Sequence, residues 1–294
     1  MVRKKSISGI TADWLNITIL VLVALTMLFP FYYMVIVSFT SYAEFVKSDL
    51  LLYPKSFVLD AYDYIFKSKA FVRSLGVTAF ITVAGTFVSL LFTSMMAYAL
   101  SRNITGKRFF LFIVLFTFLF GAGLIPTYMV VSATGLLNSY WALIIPGAIN
   151  AYTLIVMRQF FLNIPHELTE SALIDGANDL QIYVRIILPL SKPVLATFGL
   201  MGAVGHWNTW FSAIIYLSDP AKWTVQVILR QVVILSQSSH VLTEGNEAAR
   251  SAHMPPPETI GMAAILVATI PILILYPFLQ KHFAKGVMLG SVKG

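Results

Sequence analysis

Five stretches of this chain contain no Asp, Glu, Lys or Arg: Trp14 to Ala43 (30 residues), Ser74 to Ser101 (28), Phe109 to Met157 (49), Pro193 to Ser218 (26) and Thr259 to Gln280 (22). An ionised side chain at the centre of a bilayer costs at least about 2.5 kcal/mol, and a helix crosses the hydrocarbon in about 20 residues. Four stretches therefore hold one span each and the longest holds two. With 58% hydrophobic and only 11% charged residues, the chain also has too few charges to coat a water-facing surface. These features predict an all-α integral membrane protein, one transmembrane domain over residues 1–294, with six spans near 15–39, 75–100, 109–131, 141–161, 193–217 and 259–280. Ser132-Ala133-Thr134-Gly135 and Asn138-Ser139 place an uncharged reversal between spans three and four.

The apolar run after Arg3, Lys4 and Lys5 is twice as long as a signal core and lacks a small-residue cleavage site, so it reads as a retained first helix. The net charge of +7 fits basic loops beside membrane lipid rather than a nucleic-acid partner. Twelve of the 20 Lys and Arg fall on the side of the N-tail, the 101–108 loop, the 158–192 loop and the C-tail, and eight fall on the other. The positive-inside rule then places both termini in the cytoplasm. The absence of cysteine excludes disulfides and thiolate metal sites, and the five histidines lie in separate segments, so no metal site is expected.

Two outer loops exceed a simple turn. In the first, about 40–72, the spacing of Leu59, Tyr62, Ile65 and Phe66 suits a short helix with one apolar face, placed on the membrane surface. The second, about 218–258, is rich in polar residues and ends in Pro255-Pro256-Pro257. It is either a solvated linker or a docking surface for an external partner.

On the cytoplasmic side, Pro165 can start a helix, with Glu167 and Glu170 in a first turn where the macrodipole favours anions, and Asp175-Gly176 favours a stop. Periodicity alone leaves this helix readable as an amphipathic connector at the interface.

The residues themselves carry a resemblance. Glu170-Ser171-Ala172, three residues, Gly176, nine residues, Ile186, one residue and Leu188-Pro189 resemble the EAA loop of bacterial ABC importer permeases, with Ser171 in place of the first Ala. Pro54-Lys55-Ser56-Phe57 with Tyr62, Trp207-Asn208, and the ending from Tyr276-Pro277-Phe278 to Gly294 are similar to the second permease of maltose-type carbohydrate importers. They are most similar to the branch handling oligosaccharides and uronate glycans such as alginate or pectin fragments.

The resemblance implies a type I ABC permease fold. Its implied partners are a second permease, two ATP-binding subunits, an extracytoplasmic sugar-binding protein and a sugar substrate, with ATP held by the partner subunits. It also implies that residues 162–192 form a coupling loop in which Glu170, Ser171, Ala172, Asp175 and Gly176 meet the ATPase. A glycine at 176 would let the backbone turn where a Cβ would clash. By the same resemblance, Ser239, His240, Thr243 and Glu244 would reach the binding protein, and Gly290, Ser291, Val292 and Lys293 would touch the ATPases.

Sugars are held by aromatic stacking and by amide or hydroxyl hydrogen bonds, which makes Asn150, Tyr152, His206, Trp207, Asn208, Thr209 and Trp210 candidates for the substrate path. Each is equally readable as interhelical glue or an interface anchor. No phosphate-loop, H-E-x-x-H or G-x-S-x-G motif occurs, so no catalytic residue is expected. The alternative is an ion-coupled carrier. All 13 acidic residues lie outside the six spans, which leaves His206 as its titratable group.

Overall fold

The computed structural model describes residues 7–47, 51–242 and 255–286. Every regular element among the described residues is helical. In chain order these are α1 (Ile7–Ser38), α2 (Tyr42–Lys47), α3 (Asp60–Lys67), α4 (Lys69–Ser101), α5 (Lys107–Leu119), α6 (Leu124–Ala133), α7 (Trp141–Ile144), α8 (Ala151–Leu162), α9 (His166–Ile174), α10 (Asp179–Ile182), α11 (Leu188–Leu190), α12 (Lys192–Trp207), α13 (Phe211–Tyr216), α14 (Val225–Leu242) and α15 (Pro257–Gly286).

All six predicted apolar stretches lie in helices, but only three are unbroken and long enough to cross a membrane: Asp13–Ser38, Lys69–Ser101 and Pro257–Leu275. The predicted third span is split into α5 and α6 at Phe120–Gly123, and the fifth into α12 and α13 at Asn208–Trp210. The fourth is α7, a 3₁₀ turn over Ile145–Gly147 and α8, with a bend of 49°. Six continuous helices would have kept every backbone group paired. The breaks persist because neighbouring side chains supply the missing partners. The Thr93 hydroxyl on α4 donates to the Ala148 carbonyl (3.2 Å) and accepts from the Asn150 N–H (3.3 Å), and the Thr224 hydroxyl donates to the Thr209 carbonyl (2.8 Å).

The chain forms two compact units, one from Met1–Lys69 with Leu229–Val267 and one from Ala70–Ile228 with Ala268–Gly294. In the first, most of α1 from Trp14 to Tyr32 is exposed and apolar, as suits a surface meeting lipid or protein rather than water. The outer loop folds back on the end of α1. Phe57 stacks on Phe39 at 4.4 Å, Tyr62 lies 5.0 Å from the same ring, and the Tyr62 hydroxyl pairs with Ser38 at 2.8 Å. The expected short helix is α3, but its buried face is Ala61 and Ile65, while Leu59 and Phe66 are exposed. The Glu44 carboxylate accepts from the Lys55 N–H (2.6 Å), the Ser56 N–H (3.2 Å) and the Ser56 hydroxyl (3.1 Å). The second outer loop is not a linker throughout. Its first half is the helix α14, which carries Arg230 among Val, Ile and Leu.

In the second unit, one core gathers Val77, Ile81, Val131, Leu143, Ala213, Tyr216 and Val227. The turn after α6 is fixed to it by Asn138, which adopts a left-handed φ of 57°. The Asn138 N–H donates to the Tyr216 carbonyl (2.7 Å), and its side chain accepts from the Asp219 N–H (3.1 Å). A second core, built on Tyr98, Leu154, Met157, Phe161, Ile182 and Tyr183, joins α4 and α8 to the segment after α9. Between these levels α12 lies close to α4. A Cβ added at Gly85 would fall 2.7–2.8 Å from three atoms of the His206 ring.

Two predictions follow from this packing. The hydrogen bond from the Lys55 N–H holds the Glu44 carboxyl below its ordinary value of 4.5, so the loop's stabilisation is complete above that value and is lost as pH falls through the lower folded-state value. Hydrogen-exchange protection at Lys55 and Ser56 should be full at neutral pH and fall in that acid window, and Glu44→Gln should weaken it at neutral pH and abolish the fall. Gly85→Ala should lower stability in detergent by about 1–3 kcal/mol through overpacking, and adding His206→Ala should restore most of it. A double variant as unstable as the single one would show that the ring is not the obstacle.

Candidate functional site

The segment from Pro165 to Leu190 is built by local sequence signals. Pro165 occupies the N-cap of α9, and Glu167 lies in the first turn. Glu170 is one position beyond that turn, so the macrodipole reaches it less than the sequence predicts. The stop is a Schellman motif: the Ala177 N–H donates to the Ala172 carbonyl (2.9 Å) and the Gly176 N–H to the Leu173 carbonyl (3.0 Å). Gly176 has φ of +80°, and a Cβ there would meet nothing within 4 Å. The glycine is required by its left-handed backbone and not, as expected, by a clash.

Asn178 then opens α10 with a capping box. Its side chain accepts from the Gln181 N–H, and the Gln181 side chain accepts from the Asn178 N–H, both at 2.9 Å. A π-turn over Tyr183–Ile187 precedes Pro189, which has no N–H to give to the carbonyl of Arg185.

The segment is tied to the helices above it. The Tyr183 hydroxyl pairs with Ser94 of α4 at 2.7 Å, and its ring lies 5.2 Å from Tyr98. Burial pushes the Tyr183 phenol above its ordinary value of 10. Ala172 and Ala177 pack against the same core. Glu170, Ser171, Asp175 and Gly176 are exposed, so of the five predicted coupling residues Ala172 alone is partly turned inward. Beside them Leu173 is 48% and Ile174 86% exposed. These two apolar residues were missed, although an apolar pair directly before an Asp-Gly stop on a polar loop is a readable signal.

The second candidate site is a cavity of about 620 Å³. Pro146, Gly147 and Asn150 of the fourth-span break, and Thr209 of the fifth, line it with Thr86, Ser89 and Thr127. Asn150 and Tyr152 are thus on its wall, although the Asn150 side chain also caps α8 by accepting from the Thr153 N–H (2.9 Å). Trp207, Asn208 and Trp210 are not. The Trp207 indole is buried and donates to the Ala268 carbonyl at 3.0 Å. Asn208 donates to the Val204 carbonyl (3.0 Å) and accepts from Gln226 (3.3 Å), while Trp210 makes an edge contact with Phe211. His206 and Thr209, the other candidates of the fifth span, are on the wall, as is Ser212. Among the lining residues His206 is the one imidazole, and there is no Asp, Glu, Lys or Arg. The hydroxyl ridge of α4, Thr78, Thr82, Thr86, Ser89 and Thr93 at spacings of three and four, was legible in the sequence but was not drawn on.

Other predicted contacts fall elsewhere. Ser239 and His240 are within α14, whose backbone alone is described there, and Thr243, Glu244, Gly290, Ser291, Val292 and Lys293 lie outside the described residues.

Residues 89–289 match the model of the family described as binding-protein-dependent transport system inner membrane component. The chain is 51% identical to the polygalacturonan/rhamnogalacturonan transport system permease protein YtcP of Bacillus subtilis, over 96% of this chain and 98% of that protein. It is 49% identical to protein LplC of the same organism, over 98% and 96%. Its structure superposes with a TM-score of 0.86, at 35% identity, on a chain of a bacterial ABC transporter involved in the import of the acidic polysaccharide alginate, covering 95% of this chain and 99% of that one. The carrier alternative built on His206 falls with these matches. The motif spacing, the helical architecture and the extent of the family match agree: this chain belongs to the family of inner membrane components of binding-protein-dependent transport systems.

Proposed function

We propose that this chain is one half of the translocation path of an ATP-driven oligosaccharide importer, with uronate-containing glycans as its substrate class. The observation that carries the reading is the segment around α9. It is a short helix, started at Pro165, closed by a Schellman motif and followed by a segment fixed to the core through Tyr183 and Ser94, and it presents Glu170, Leu173 and Ile174 outward. A helix held this firmly passes a push from an ATPase subunit to α4 and α12 as a rigid displacement, whereas a loose loop would absorb it. The chain then crosses the membrane six times with both termini in the cytoplasm. A second permease completes the path, ATP binds and is hydrolysed on two separate subunits, and an external binding protein delivers the sugar.

The substrate class is supported by the relatives, one named for polygalacturonan and rhamnogalacturonan and one for alginate. The cavity beside Asn150 and Tyr152 offers hydroxyls, an amide and aromatic faces, which fit sugar hydroxyls and ring faces. Its lack of a fixed cation assigns recognition of the uronate charge to the binding protein or the second permease.

The test is to purify the tagged chain in mild detergent, identify what co-purifies, and measure ATP hydrolysis with a sugar-loaded binding protein. Recovery of a second permease and an ATPase stimulated by galacturonan-loaded binding protein is expected. Recovery of the chain alone would overturn the reading. In the assembled complex Gly176→Val forces a β-branched residue into the left-handed region, and Glu170→Lys inverts the exposed charge. Each should lower the stimulated rate about tenfold, equivalent to about 1.4 kcal/mol of lost coupling. Wild-type stimulation in both would detach this segment from coupling.

A further inference from the structure

A second cavity, of about 560 Å³, lies beside α9, where α4 leaves its apolar stretch. Its wall carries three basic side chains, Arg102, Lys107 and His166, against one acid, Asp179. The cations are poorly satisfied. Arg102 reaches Asp179 at 3.6 Å, and Lys107 reaches the Ser101 carbonyl at 3.5 Å, both at the outer limit of such contacts. Tyr98 also lines the cavity, its ring centre 5.8 Å from the Arg102 guanidinium; it is 7% exposed, and its hydroxyl, near the Asp179 carboxylate, makes no hydrogen bond of good geometry. A buried phenol left without an acceptor is costly, so this orphan hydroxyl and the two loosely held cations call for the same ligand, a multidentate oxyanion.

The neighbouring surface says what the anion is attached to. A groove of about 280 Å³ shares Tyr98, Arg102 and Asp179 with the cavity and continues along Met95, Ala99 and Leu180. The ligand that fills both has a phosphate at one end and a hydrocarbon chain at the other. Basic pockets between helices at the membrane boundary hold lipid headgroups by this chemistry.

We propose that the cavity and groove together bind one anionic glycerophospholipid. Arg102 and Lys107 hold the phosphate, the Tyr98 hydroxyl donates to it, and an acyl chain lies along Met95, Ala99 and Leu180. Asp179 competes with the phosphate for Arg102. Because Asp179 opens α10 and His166 opens α9, the bound lipid would brace the coupling segment against α4. The assignment requires membrane insertion and does not depend on which sugar is carried.

The test uses the intact complex, purified in mild detergent, stripped of lipid and offered phosphatidylglycerol or phosphatidylcholine, with lipid retention read by native mass spectrometry. Phosphatidylglycerol should be retained about tenfold better, because phosphatidylcholine has the same phosphate but brings a choline cation against Arg102 and Lys107 and has no net negative charge. Arg102→Gln with Lys107→Gln should abolish the preference, and Tyr98→Phe, which keeps the ring, should reduce it severalfold. Asp179→Asn should strengthen retention by freeing Arg102, a gain that mere damage to the fold would not produce. Equal retention of both lipids, or an unchanged preference in the double variant, overturns the proposal. If inorganic phosphate protects the lipid-free complex against heat as well as phosphatidylglycerol does, the site serves a free anion and the lipid assignment fails.

Discussion

Hydrocarbon offers a peptide group nothing to bond with, so every N–H and C=O inside it needs a partner from the protein. Unbroken helices meet that demand alone, and α4 does so over 33 residues. The fourth and fifth predicted spans instead interrupt their ladders, and the interruptions coincide with hydroxyls of neighbouring elements: Thr93 opposite Ala148 and Asn150, and Thr224 opposite Thr209. Asn150 and Thr209, one from each break, line the larger cavity. Irregular backbone and cavity are therefore one feature: a break is tolerated where it borders space that water or substrate can occupy, and the break is what puts polar groups there.

This arrangement makes α4 the reference element of the second unit. One of its faces brings Thr86 and Ser89 to the cavity, and further along the same helix Ser94 and Tyr98 receive Tyr183 from the segment after α9. A displacement of α9 is thus linked, through one buried hydroxyl pair and one ring contact, to the helix that borders the cavity. The glycine at 85 lets α12 sit against α4 with the His206 ring between them, which connects the second cavity-lining helix to the first without a charged group.

The sequence was legible wherever one physical rule dominated. Charge-free stretches located the three helices long enough to cross a membrane and the broken ones between them, because burying a charge in lipid has few remedies. Pro165 and Asp175-Gly176 marked the ends of α9, because those residues have narrow backbone preferences. It was less legible where partners distant in sequence decide. Nothing local at Asn208 says whether its amide faces a cavity or pairs with Gln226, and Trp207 was an equally good candidate for sugar stacking until its indole was seen to hold Ala268. The break at Phe120–Gly123 was signalled by Gly121 and Gly123 but was outweighed by the apolar content around them. In α14, Arg230 and the polar residues after it obscured a helical run of Val, Ile and Leu.

The distribution of charge orders these observations. A glycan moving through a permease must never bind so tightly that it stays, and a wall of hydroxyls, amides and aromatic faces supplies many weak contacts with no deep minimum. A fixed cation facing a uronate would create such a minimum, because in a low-dielectric passage an ion pair is held far more strongly than in water. The chain keeps its Lys and Arg out of the larger cavity and places Arg102 just past the end of α4 and Lys107 at the start of α5, where tight binding of an anion is compatible with the proposed function. On the proposed reading permanence is useful under the coupling segment and harmful in the passage, a division that the charges of the two cavities match.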